Sequence, residues 1–216
     1  MTPELKKETD RKLENYHKQN QTVLKHQILF AGSSLMEMFP IEEFIKEQNL
    51  SYTIYNRGVG GYKTEDLLQA MDICIYELSP RRIFINIGTN DLSDSSIPIS
   101  QMISNYDRIL SEIEDRLPDV ELYLMAYYPV NYDAATEEMK PCLQIRNNEK
   151  IDLANTEVKK LATKHHAKYI DVNRALKDSD GNLKAEYTIE GMHINKDGYR
   201  AILEDVLTYV SEPVWK

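Results

Sequence analysis

Four short segments of the sequence carry side chains suited to moving an acyl group. Ser33 and Ser34 follow Ile28-Leu29-Phe30-Ala31-Gly32 and lead into a stretch of helical periodicity. A hydroxyl at such a strand-to-helix turn lies near free backbone N–H groups that favour negative charge; taken alone, it is more often simply a preferred helix cap. Gly58-Val59-Gly60-Gly61 lets the backbone approach a ligand closely and aim N–H groups at an anion, whether a phosphate or an oxyanion. It does not match G-x-G-x-x-G and follows the second strand candidate, so it is no dinucleotide fingerprint, and a Walker lysine motif is missing. Gly88-Thr89-Asn90-Asp91 sets an amide and a carboxylate after another strand candidate, although both are ordinary turn formers. Glu190 precedes His193 by three residues, so one local turn can bring a carboxylate to an imidazole nitrogen and fix its tautomer. Together these supply a serine, backbone and amide donors, and a histidine with a carboxylate partner, the requirements of nucleophilic acyl transfer.

Positioning these groups requires a scaffold whose strands end at one edge. Apolar segments at 27–31, 52–56, 82–87, 121–126 and 168–172 read as strands. They alternate with helix-period segments at 36–48, 63–78, 99–116, 147–165 and 196–210. That alternation predicts a parallel sheet with helices on both faces, and ligands bind such sheets at the carboxyl ends of the strands. A long irregular segment, 127–143, follows the fourth strand candidate at that end. The charged helix-period stretch 4–24 has sparse apolar positions (Leu5, Leu13, Tyr16, Val23); it fits a solvated helix, one packed across the domain, or one serving a partner subunit. We divide the chain into a helical extension, residues 1–25, and one domain, residues 26–216. No internal repeat or low-complexity linker interrupts it.

Composition narrows the function classes. The chain has 216 residues, 42% hydrophobic and 28% charged, which excludes disordered and fibrous classes. A net charge of -9 repels nucleic-acid backbones and anionic membranes, so no nucleic-acid partner is expected. No apolar run approaches the length needed to cross a bilayer, and the charged first twenty residues lack a signal-peptide core; the expected address is cytoplasmic. Cys74 and Cys142 have no ligand spacing, and Cys74 sits among Met71, Ile75 and Leu78 as a core thiol. His165 and His166 point in different directions on a helix end, which is read as solvated rather than as a metal site.

The four blocks resemble, in order and spacing, those of the SGNH (GDSL-type) esterase and lipase superfamily, over Ile28 to about Tyr199. Within it the chain is similar to the branch typified by platelet-activating-factor acetylhydrolase subunits. The resemblance implies a three-layer α/β/α flavodoxin-like domain with a five-stranded parallel sheet, order 2-1-3-4-5. It also implies metal-independent hydrolysis of esters of short acyl groups or decorated sugars, with no cofactor. By position it assigns Ser34 as nucleophile, with Ser33 a neighbour where the family more often has aspartate. His193 becomes the base, and Ser34, Gly61 and Asn90 the oxyanion donors. Glu190 stands where the family normally has aspartate; one methylene longer, it reaches the imidazole only with a shift of the local backbone.

The substrate expected is a small-molecule ester, and Leu92, Tyr127, Tyr128, Pro129, Val130 and Tyr132 are expected to wall its pocket. A homo-oligomer is compatible with the N-terminal helix. Three other readings share the pattern: an acyltransferase resolving the same acyl-enzyme with an alcohol, an idle binding module, and a flavodoxin-like anion or nucleotide binder.

Overall fold

Five apolar segments form parallel strands because each must be buried on both faces, which selects a continuous run of large apolar residues over a strict alternation. In the computed structural model, which describes residues 3–215, these are β1 (Ile28–Gly32), β2 (Ile54–Gly58), β3 (Arg82–Asn86), β4 (Glu121–Met125) and β5 (Lys168–Ile170). They form one sheet in the order β2-β1-β3-β4-β5, each strand within two residues of its sequence-based bounds.

Nine α-helices surround the sheet among the described residues: α1 (Pro3–Asn20), α2 (Ser34–Glu37), α3 (Ile41–Glu47), α4 (Thr64–Cys74), α5 (Thr89–Leu92), α6 (Ile99–Arg116), α7 (Lys140–Ile145), α8 (Asn148–Lys164) and α9 (Lys196–Val210). Successive strand residues face opposite sides. Leu29, Ala31, Ile83, Ile85, Leu122 and Leu124 join one core with α4, α6 and α8, whereas Ile28, Phe30, Phe84, Tyr123 and Met125 join a second core with α3 and α9. The result is the three-layer α/β/α arrangement. α1 lies outside the first core and packs Leu13 and Tyr16 against it, as does Val23 just beyond the helix end.

The single helix expected over 36–48 is two helices. Pro40 stands between them, removing a backbone donor, and the Asn56 side-chain amide on β2 donates to the carbonyls of Met36 (2.6 Å) and Phe39 (3.2 Å). At the opposite edge from the site, Arg82 and Glu121 pair in register at the starts of β3 and β4. Both are fully buried; the guanidinium also donates to the carbonyls of Tyr209 (2.9 Å) and Val210 (2.8 Å), fixing the end of α9.

Candidate active site

The strand pairing brings Gly58, Gly32 and Asn86 level at the carboxyl edge. The loops that leave β2, β1 and β3 there carry the glycine cluster, the two serines and Asn90. This is the point where the strand order reverses and helices depart to opposite faces, the usual ligand crevice of such sheets. β1 ends on glycine for a steric reason: a Cβ on Gly32 would stand 2.0 Å from the Asn86 carbonyl oxygen.

Ser33 is buried, makes no side-chain capping bond, and has its hydroxyl 3.5 Å from that of Thr89. Ser34, the first residue of α2 and half-buried, places Oγ 3.0 Å from His193 Nε2. His193 Nδ1 meets Glu190 Oε1. A carboxylate only accepts, so Nδ1 carries the ring proton and Nε2 of the neutral imidazole is left to accept from the Ser34 hydroxyl.

Glu190 reaches the ring because the loop folds tightly. The Ile189 N–H donates to the His193 carbonyl (2.9 Å), the Gly191 N–H to Thr188 Oγ1 (2.8 Å), and Gly191 adopts a positive φ of 99°. The His193 N–H donates to the same carboxylate (3.2 Å to Oε2). Burial alone would raise the Glu190 carboxyl; its hydrogen bonds from His193 and the attraction to that ring outweigh burial and hold it below its ordinary value. α9 is docked on the serine-bearing turn by Tyr199 Oη, which donates to the Leu35 carbonyl at 2.7 Å.

On the other side of Ser34, Gly60 lies so close that its Cβ would be 3.9 Å from Ser34 Cβ. Gly61 has φ 79°, a left-handed conformation for which glycine is the natural residue, and it is exposed. The Asn90 amide donates one N–H to the Tyr62 carbonyl at 3.0 Å, leaving its second N–H for another acceptor. Asp91 ties α5 to the start of α4 by accepting from the Thr64 N–H (3.0 Å) and hydroxyl (2.6 Å). Burial raises the Asp91 carboxyl against the opposing effect of those bonds.

The expected pocket walls need correction. Leu92, Tyr127, Tyr128 and Val130 are 0–3% exposed and belong to the two cores. Tyr127 Oη donates to the Ile87 carbonyl at 2.7 Å, so the hydroxyl expected to face a ligand is satisfied inside. Pro129 is buried as well, and only Tyr132 of that set is exposed. Open space adjoins Gly61 instead, as a cavity of about 380 Å³ lined by Leu5, Gly61, Lys63, Glu65 and Asp66. His165 also departs from expectation: it is buried, with Nδ1 2.8 Å from Glu114 and Nε2 2.6 Å from Asp107, bracing α6 against the end of α8. Among the described residues no group of three His, Cys, Asp or Glu side chains could hold a metal ion, and no helix is long and apolar enough to cross a membrane.

Two residues beside the site were missed in the sequence. Glu37 lies one helical turn after Ser34, a spacing that could have flagged it; its Oε2 accepts from the Gly60 N–H at 2.6 Å. Arg146 is buried and donates to the Thr89 carbonyl at 3.0 Å; burial lowers its pKa to about 10, opposed by nearby Cys142 and then Glu190. No local sequence signal marks it.

Residues 42–201 match the model of the GDSL-like lipase/acylhydrolase family. The chain is 22% identical over 176 residues to the platelet-activating factor acetylhydrolase IB subunit alpha2 of Rattus norvegicus, covering 81% of this chain and 72% of that protein. It is 27% identical over 130 residues to the N-acylneuraminate cytidylyltransferase of an Escherichia coli strain, covering 59% of this chain but only 28% of that relative's length. A Streptococcus pneumonia protein given the provisional name platelet activating factor superposes with a TM-score of 0.85 at 33% identity, over 95% of this chain and 94% of its own.

Proposed function

The chain belongs to the GDSL-like lipase/acylhydrolase family, and from that premise we propose that it hydrolyses esters of short acyl groups through an acyl-enzyme on Ser34. The observation that carries this reading is the continuous chain from Ser34 Oγ through His193 to Glu190.

In the proposed reaction Ser34 Oγ attacks the ester carbonyl while His193 Nε2 takes its proton. Glu190 holds the ring in the required tautomer and stabilises the imidazolium that forms. The tetrahedral oxyanion is received by the backbone N–H groups of Ser34 and Gly61 and by the free amide N–H of Asn90. Aligned donors of this kind are each worth about 10²–10³ in rate. His193 then gives its proton to the departing alcohol, and water, activated by the same imidazole, releases the acid and regenerates Ser34.

Leu92, Tyr127, Tyr128 and Val130 are packed into the two cores and so build no acyl-chain pocket, in keeping with a preference for short acyl groups. The cavity beside Gly61, with Lys63, Glu65 and Asp66 on its walls, suits a polar alcohol portion better than a lipid tail. The acetylhydrolase relative agrees with a small acyl group. A series of p-nitrophenyl esters from acetyl to palmitoyl tests the reading: kcat/KM is expected to peak at acetyl or propionyl, and a maximum at octanoyl or longer overturns it.

A further inference from the structure

The glycine turn that supplies the proposed oxyanion donor is not held by the sheet alone. Residues 5, 12, 16 and 20 of α1 share one stripe, since separations of seven, four and four return to one side of a 3.6-residue helix. Along that stripe the helix grips the segment 57–61. Leu5 Cδ2 lies 3.5 Å from where a Gly61 Cβ would stand. The Tyr16 hydroxyl donates to the Gly58 carbonyl at 2.8 Å, and Arg57 Nε donates to Asn20 Oδ1 at 2.9 Å. Lys12 acts through an acidic side chain. It pairs with Glu37 Oε1, while Glu37 Oε2 accepts from the Gly60 N–H at 2.6 Å.

Glu37 thus joins three elements at once: the helix that bears Ser34, the turn that bears Gly61, and α1. A carboxylate left free at the end of α2 has rotamers that abandon Gly60; the Lys12 ammonium on its second oxygen selects the one that holds it. We propose that α1 is a strap that aligns the oxyanion turn with Ser34, and that Glu37, fixed by Lys12, is the positioning residue through which it acts. This rests on the Ser34 reading above and adds to it a part of the chain outside the matched family segment, 42–201. Glu37 touches no reacting atom; its effect is on where the Gly61 N–H points when the oxyanion forms. Such a misalignment lowers kcat and leaves KM nearly unchanged, because the ground-state carbonyl makes little use of the donor.

The test compares p-nitrophenyl acetate kinetics of wild type, Glu37→Ala, Glu37→Gln, Lys12→Met and the double variant Lys12→Met/Glu37→Ala, well below each melting temperature, with Ser34→Ala as the reference for the chemistry. Expected is a fall of about tenfold in kcat for Glu37→Ala with KM within twofold, the scale of a displaced donor. Recovery of most of that loss is expected in Glu37→Gln, which keeps an acceptor for Gly60. Lys12→Met is expected to lower kcat about threefold in the wild-type background and not at all on top of Glu37→Ala. A Glu37→Ala kcat within twofold of wild type, or a Lys12→Met effect that persists in the double variant, overturns the strap. If instead turnover survives in Ser34→Ala, it is the serine reading that fails.

Discussion

Replacing Glu190 by Gln removes one charge from the site and keeps nearly the same shape. The carboxylate contacts His193 Nδ1, and the two side chains are only 15% and 24% exposed. Unit charges about 4 Å apart at an effective dielectric near 20 attract by about 4 kcal/mol, and the residual exposure screens part of this. About 3 kcal/mol of imidazolium stabilisation is therefore at stake, or roughly a hundredfold in kcat at 1.36 kcal/mol per decade. The amide adds a second fault: if its NH₂ faces the ring, Nδ1 must accept and Nε2 carries the proton, the tautomer unable to deprotonate Ser34. Glu190→Asp keeps the charge but withdraws it by about one C–C bond length, about 1.5 Å, and is expected to fall between wild type and Glu190→Gln. The assay is kcat and KM on p-nitrophenyl acetate with melting temperatures measured alongside. A Glu190→Gln enzyme within threefold of wild type, folded to the same degree, refutes the role given to this carboxylate.

Asn90→Ala is expected to lower kcat about a hundredfold with KM within threefold, as for the loss of one aligned oxyanion donor; unchanged kcat removes Asn90 from the hole. Burial pushes the Cys74 thiol up to about 12 and leaves it fully enclosed, whereas Cys142 is partly exposed. A disulfide-exchange reagent at pH 8 is therefore expected to titrate Cys142 in the native protein and both thiols only in denaturant, and rapid reaction of both contradicts the packing of α4. Glu190 and Glu212 are both held below their ordinary value of 4.5, in each case by hydrogen bonds and nearby charge that outweigh burial, from His193 for Glu190 and from Lys168 and Tyr123 for Glu212. A carboxyl lowered in the folded state adds stability above its unfolded pKa and loses it as pH falls through the folded one. Melting temperature is expected to decline below about pH 4.5 on this account, with a shallower decline in Glu212→Gln; identical profiles in both proteins count against it.

Much of this scaffold is written in short-range pattern. α6 and α9 begin and end where their apolar spacing says, because each presents one stripe to a sheet face, and the strands announce themselves by apolar runs buried on both sides. The order β2-β1-β3-β4-β5 came from resemblance to a family and not from any local signal. Glu190 could be paired with His193 by spacing, but whether it reached the ring depended on the backbone path through Gly191, which spacing does not encode. Tyr127 and Tyr128 misled because a phenol carries both an apolar body and a polar tip. Continuation of the chain beyond β4 into the core, where the Ile87 carbonyl takes the Tyr127 hydroxyl, is a tertiary fact. The contribution of α1 stays open in the sequence for the same reason: packing across the domain is one expected reading, but Lys12 and Asn20 look like solvated helix residues until Glu37 and Arg57 are placed beside them.

The central claim is that Ser34 forms the acyl-enzyme. It is tested most directly by p-nitrophenyl acetate turnover of wild type and Ser34→Ala at pH near 8 without added metal. The account predicts clear turnover in the wild type and a collapse to near the uncatalysed rate in Ser34→Ala, with the melting temperature unchanged. Equal rates in the two proteins, whether high or at background, contradict it.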